Sequence, residues 1–316
     1  MAERTGLSDA LLGALAALAA DSPEITSAVT AIVHRQHDVG AGVVLGSAVF
    51  NLTALLGLGA VATRGVRIGK RVIALGGAVT GGLTLLALLT VAARTPAPVT
   101  TACGVILLGG YLALLGAAPS VLGAFRRFAW CEPVATWIAG AVAEEELAEE
   151  EEIEPGRRAP SRVAGSARRD APVGVAALAV VVGASYLMER SATSLGSRIG
   201  VPGIVTGALV LGAVTGIPNA VASLYLARKG NGTAAMSTAL NSNNFNILVG
   251  LLAPAVLAGT GAPVTATVLV AWWCLGLTVL SLTAAYHRGG LARGFGMVVL
   301  LTYAGFVGAV VGTGLN

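Results

Sequence analysis

An all-α polytopic membrane protein, built as two inverted-topology halves with broken helices at its centre, is the fold that this 316-residue chain predicts. Three observations lead there. First, 55% of the residues are hydrophobic and 11% charged, and apolar runs of about 20 residues, the length that crosses a bilayer as a helix, recur along nearly the whole chain. Second, polar residues are duplicated inside that apolar sequence: Pro23 and Pro218 are each followed 24 residues later by a serine, Ser47 or Ser242, and 28 residues later by the asparagine of Phe50-Asn51 or Phe245-Asn246. Third, the basic residues gather in alternate loops.

The spans follow in chain order. Residues 7 to 33 form the first, interrupted near Ala20 to Glu24, where Asp21-Ser22-Pro23-Glu24 breaks the apolar run. Residues 39 to 62, 70 to 93 and 98 to 122 complete a first half, 1–122. A second half, 172–316, supplies 172 to 196, then 202 to 227 broken near Val214 to Asn219, then 233 to 258, 263 to 286 and 292 to 314. That makes nine spans in all. Paired interruptions in lipid-type sequence are tolerated only where they face protein or a water-filled cavity, which points to the substrate site of a secondary transporter.

Between the halves, residues 123–171 hold Arg126, Arg127, an acidic run from Glu144 to Glu154 and then five more arginines among Pro, Ser and Gly. Such a segment buries too little apolar area to offset chain entropy, so it is expected to be largely a flexible linker. No turn residues space its carboxylates for calcium, and a solvated charge run is the expectation. With nine spans, sixteen of the twenty Lys and Arg residues fall on one side of the membrane with the linker; only Arg35, Arg94 and Arg198 fall on the other, and Arg190 lies within a span. The positive-inside rule therefore places the N-terminus and linker in the cytoplasm and the C-terminus outside. The high pI is a topology signal and implies no nucleic-acid partner. Residues 7 to 19 run on into Asp21-Ser22-Pro23-Glu24 instead of ending at a cleavage site, so no secretory signal is expected, and the Ala-, Gly- and Val-rich composition suits a bacterial cell membrane. Cys103, Cys131 and Cys274 share no metal-ligand spacing and read as packing residues.

Ionisable residues inside spans are costly and mark function. Asp21, Glu24 and the pair Glu189-Arg190 qualify, with Asp9, His34, His37 and Asp38 at span edges. Asp21 and Glu24 are open to two readings. Three apart, with Pro23 freeing a carbonyl, they would share a helix face as a hard oxygen cage for sodium or calcium; alternatively, Asp21 caps a new helix and Glu24 takes the capping-box position. In the second copy, Ser242 and Asn246 lie one turn apart on one face, as do Ser47 and Asn51 in the first, so oxygens from both copies could converge on one ion. Asn243 and Asn244 have no counterparts in the first copy and read equally well as polar glue between helices.

These motifs resemble the calcium/cation antiporter superfamily, which includes the sodium/calcium exchangers and carries a Gly-Thr-Ser-x-Pro-Glu and a Gly-Ser-Asn-x-Phe-Asn motif in each of two inverted repeats. Pro23-Glu24 and Gly46-Ser47-Ala48-Val49-Phe50-Asn51 match in the first half; Thr215-Gly216-Ile217-Pro218 and Asn241-Ser242-Asn243-Asn244-Phe245-Asn246 match in the second. The resemblance implies mid-membrane coordination of calcium and sodium by Glu24, Ser47, Asn51, Thr215, Ser242 and Asn246, with the two halves rocking to give alternating access. No cofactor is implied; the partners are small cations and the bilayer, and no pattern specifies an oligomeric state. The chain departs from the motifs at Asn219, which stands where the second glutamate belongs, and at Asp21, which stands where the first serine belongs and restores two carboxylates. Calcium needs about two nearby negative charges, so it requires Asp21 to point inward; otherwise a sodium/proton or other monovalent exchanger is the better reading. The family has five helices per half, so either the start lies upstream or the first helix is missing here. A degenerate, non-transporting interaction protein would tolerate loss of Asp21 and Glu24. No Ser-His, aspartyl-pair or HExxH arrangement suggests an enzyme, and inverted repeats favour an exchanger over a channel.

Overall fold

The computed structural model describes residues 18–63, 65–125, 133, 136–144, 167–262 and 264–314. The apolar runs become helices. After a turn at Asp21, α1 covers Ser22–Val33. Helix α2, His37–Thr63, is regular to Leu52 and then widens into a π-helical stretch, Thr53–Leu58. Strand β1, Gly65–Arg67, leads into α3, Lys70–Val91, and α4, Ala97–Phe125. Helix α5 is Ala167–Arg198, and α6 is Gly203–Arg228 with a π-helical stretch at Thr206–Leu211. Helix α7 runs as Gly232–Phe245, a π-helical stretch Asn246–Leu252, and Ala253–Ala258. Helix α8, Thr265–Arg288, strand β2, Gly290–Ala292, and α9, Arg293–Gly314, complete the chain. Among the described residues six helices are long and apolar enough to cross a membrane by length and composition. Large apolar side chains cover the outer surface, with Ile106, Val180, Leu257 and Leu301 between 67% and 85% exposed. A belt of that kind is a lipid-facing surface, since in water it would drive aggregation.

The duplication is visible in the helices. Adding 195 to the numbers of the first half carries Pro23 to Pro218, the start of α2 at His37 to that of α7 at Gly232, and the start of α3 at Lys70 to that of α8 at Thr265. The halves are inverted: at one end of the bundle Arg35 Nη1, before α2, donates to Ala258 O at the end of α7 (2.6 Å), while at the other Gly69 N, after α2, donates to Thr233 Oγ1 at the start of α7 (3.1 Å). The second end also carries the antiparallel ladder of β1 on β2, with Gly65 opposite Ala292.

Helices in lipid gain nothing from apolar burial against one another and are held by close packing, so small residues mark the contacts. Helix α2 is buried from Val39 to Val49, and its main partner is α6. A Cβ on Gly46 would strike the backbone of Ala208, and one on Gly212 would lie 2.8 Å from the Ser47 nitrogen. Gly207 faces Val39 and Gly216 faces Phe50 in the same way. Along α6 these glycines are spaced 203, 207, 212, 216; the one five-residue step spans the π-helical stretch, whose wider turn keeps all four on the α2 face.

Two expectations change. The first interruption is present, as the turn at Asp21, but the second is not: α6 continues through Pro218, and its irregularity lies at Thr206–Leu211, upstream of the expected Val214 to Asn219. A proline costs a helix one N–H donor and can be absorbed in a membrane bundle by a nearby π adjustment and by neighbouring helices. Within the region read as linker, residues 136–144 are helical, with Ala141 and Val142 buried, Arg71 lying over Gly140 and Glu144 over Gly69. At its edges α4 runs on to Phe125 and α5 begins at Ala167, so both helices enter the region expected to be linker. The acidic run after Glu144 and Cys131 lie outside the described residues, as do residues 7–17 of the first expected span.

Candidate functional site

Pro23 holds the start of α1 at the turn that carries Asp21. The twelve residues of α1 rise about 18 Å from that turn, so Asp21 lies near mid-depth of a bilayer core roughly 30 Å thick. Ser242 lies ten residues into α7 from the opposite end and reaches the same level. Asp21, Glu24, Ser47, Asn51, Ser242 and Asn246 are all 0–1% exposed, Thr215 is 5% and Asn219 7%.

Asp21 Oδ1 accepts two short hydrogen bonds from the second repeat, one from Asn219 Nδ2 at 2.7 Å and one from Ser242 Oγ at 2.7 Å. Ser242 Oγ also accepts from Asn219 Nδ2 (3.2 Å) and Asn51 Nδ2 (3.3 Å). The structure thus joins Asp21, Asn51, Asn219 and Ser242, from both repeats, into one buried network. Glu24 lies one turn on from Asp21, on α1, which packs against the π-helical stretch that begins at Asn246. Ser47 and Thr215 return their hydroxyl protons to their own helices, at Val44 O (3.0 Å) and Leu211 O (2.8 Å), and leave oxygen lone pairs available.

The capping alternative does not describe the geometry. Asp21 occupies the N-cap position of α1, but among the described residues its side chain makes no cap bond and turns to α6 and α7 instead. Neither oxygen of Glu24 has a hydrogen-bond partner among the described residues, nor do Asp21 Oδ2, Asn51 Oδ1 and Asn246 Oδ1. Buried carboxylate oxygens without donors are expensive, and the cost falls when a cation faces them. Among the described residues no three His, Cys, Asp or Glu side chains converge, so the chemistry available is two carboxylates plus neutral amide and hydroxyl oxygens, a donor set for a hard cation.

Asn243 and Asn244 act as interhelical ties. Asn243 accepts from Asn51 Nδ2 (3.5 Å) and donates to Ala48 O (3.4 Å); Asn244 Oδ1 accepts from Thr80 Oγ1 (2.7 Å) on α3. Sequence reasoning missed Thr80, whose only signal is Thr84 one turn later on the same face. Glu189 is buried on α5, where its Oε1 accepts from Thr193 Oγ1 at 3.1 Å, while Arg190 beside it is exposed. Of the cysteines, Cys274 is buried and Cys103 exposed.

Comparison with known proteins agrees with this architecture. Residues 1–118 and 172–312 match the family model described as sodium/calcium exchanger protein. Over 134 residues, 39% of this chain, the sequence is 35% identical to sodium/potassium/calcium exchanger 4 of Mus musculus, and over 132 residues it is 35% identical to the Drosophila melanogaster sodium/potassium/calcium exchanger Nckx30C. Over 73 residues it is 42% identical to human sodium/potassium/calcium exchanger 1. These matches span 21%, 15% and 7% of the relatives, so the matched part of the chain corresponds to about a fifth of their length at most. Among solved structures, the sodium-calcium exchanger NCX_Mj soaked with sodium and strontium superposes over 97% of this chain and 89% of its own, with a TM-score of 0.60 at 15% identity, which establishes a shared fold. The family model covers both helical halves and leaves out only the region between them and the last residues, and on that ground the chain belongs to the sodium/calcium exchanger protein family.

Proposed function

We propose that this protein is a secondary cation antiporter that exchanges sodium for calcium at a mid-membrane site formed by Asp21, Glu24, Ser47, Asn51, Thr215, Asn219, Ser242 and Asn246. One observation carries the reading: two buried carboxylates from α1, with oxygens lacking donors among the described residues, sit where the two inverted repeats meet. Alternating access then amounts to exposing this cluster to each end of the bundle in turn. Asp21 points into the network, which is the condition that favours a divalent ion. The relatives' descriptions name sodium, potassium and calcium, and those ions define the substrates to be tried. The absence of an acid at Asn219 supports one second reading, exchange of a monovalent cation or proton, because less negative charge then offsets ion desolvation. The bundle end carrying Arg67, Lys70, Arg71, Arg228, Arg288 and Arg293 is assigned to the cytoplasm by the positive-inside rule.

The test is radioactive calcium uptake by sodium-loaded inverted membrane vesicles diluted into sodium-free buffer, with and without potassium, for the wild type and Glu24→Gln. Uptake that needs both the outward sodium gradient and Glu24 supports the assignment. No uptake above control vesicles removes calcium as the substrate and leaves the monovalent reading, measured by sodium-driven pH change in the same vesicles.

A further inference from the structure

We propose that one carboxylate of the site has been transposed across the repeat interface, so that Asp21 in the first repeat supplies the charge that the second repeat lacks at Asn219. This rests on the ion-site reading above and adds which repeat holds the charge. The duplication makes Asp21 the counterpart of Gly216 and Glu24 the counterpart of Asn219, and at both positions the copies differ. The two differences meet in space. Asn219 and Asp21 lie 198 residues apart in the chain, yet the Asn219 amide donates to the Asp21 carboxylate at 2.7 Å.

The surroundings explain why the charge sits on α1. A side chain at Gly216 would start within 2.7 Å of the Phe50 ring and 3.1 Å of Asn51 Oδ1, so the second repeat has no room for an acid there while Asn51 stays in place. An acid at position 219 would confront Asp21 directly, and two carboxylates in contact do not both ionise. With an amide at 219 and the Ser242 hydroxyl beside it, Asp21 Oδ1 is held by two donors, and Asp21 Oδ2 has no hydrogen-bond partner among the described residues. The second repeat thus contributes donors that aim the carboxylate, and α1 alone contributes both charges.

The geometry makes the location of the charge exchangeable. Asp21→Gly combined with Asn219→Glu gives both repeats the same residues at these positions and fills the space vacated by Asp21 with the longer acid. Cation binding is read on purified protein by titration with calcium chloride and separately with sodium chloride, and exchange is read in vesicles. Asp21→Gly alone is expected to weaken apparent cation affinity by about tenfold or more, and the double variant to return within about threefold of the wild type, since binding strength follows the number of charges at the site. Wild-type affinity in Asp21→Gly, or a monodisperse double variant as weak as Asp21→Gly, overturns the transposition. Asp21→Asn with Asn219→Asp exchanges donor and acceptor at nearly constant volume and carries the same test where the first pair does not fold. A wild-type protein that binds and exchanges none of these ions refutes the ion-site reading itself, whereas an active wild type with an unrestored pair refutes only the transposition.

Discussion

Ser242 shows how single groups divide between ion chemistry and architecture. Its hydroxyl donates to Asp21 and accepts from Asn51 and Asn219, so it ties both repeats to the carboxylate. Thr80 makes an equally short bond, to Asn244, and among the described residues neither of these two hydrogen-bonds to an acid. Ser242→Ala should therefore raise the apparent KM for the transported cation, whereas Thr80→Val should lower stability by about 0.6 kcal/mol, the average for an interhelical hydrogen bond in a membrane bundle, and by no more than about 1.7, with KM unchanged. Thermal midpoints and initial exchange rates on the same preparations separate the two, and an unchanged KM in Ser242→Ala would remove Ser242 from the site. At this scale much of the cluster was legible, because a buried acid in lipid-type sequence is rare enough to stand out, and Asp21, Asn51, Asn219 and Ser242 do meet. The ties of Asn243 and Asn244 were not resolved from sequence, since an amide reads identically whether it faces an ion or a neighbouring helix.

The helices were legible to within a few residues because lipid demands long apolar runs, as α3 shows, expected at 70 to 93 and observed at Lys70–Val91. Their irregularities were not. Pro218 suggested a break where the helix continues, and the π-helical stretches Thr53–Leu58, Thr206–Leu211 and Asn246–Leu252 each open on one polar residue and are otherwise small or apolar, a pattern shared with the regular helices around them. The five-residue step between Gly207 and Gly212 is the trace that one of them leaves, with both glycines against α2. Gly46→Val should abolish assembly, because the added atoms meet the Ala208 backbone, which cannot move without parting the helices. Gly183→Ala on α5 and Gly276→Ala on α8, where a Cβ meets no atom within 4 Å, should elute and melt as the wild type does. Size-exclusion profiles in detergent check both, and a monodisperse, thermally unchanged Gly46→Val would show that the close α2–α6 approach is dispensable.

The bundle as a whole has two chemically different ends, and the loops that the charge pattern assigned to one side are those that touch. The β1–β2 ladder, Gly69 with Thr233, and the 136–144 helix over Gly69 and Arg71 gather at one end with Arg67, Lys70, Arg228 and Arg288; Arg35 with Ala258, and the cavity bounded by Arg94, Pro96 and Thr260, lie at the other. A gathering of basic residues at one end is the pattern that the positive-inside rule describes. In a variant with its three cysteines replaced, single cysteines at Arg67 and Arg293 should react with a membrane-impermeant maleimide in inverted vesicles and be protected in right-side-out ones, while cysteines at Arg94 and Thr260 should show the reverse. Labelling of Arg67 and Arg94 positions from the same side would break the expectation of nine spans, since those positions flank α3 and a single crossing must separate them.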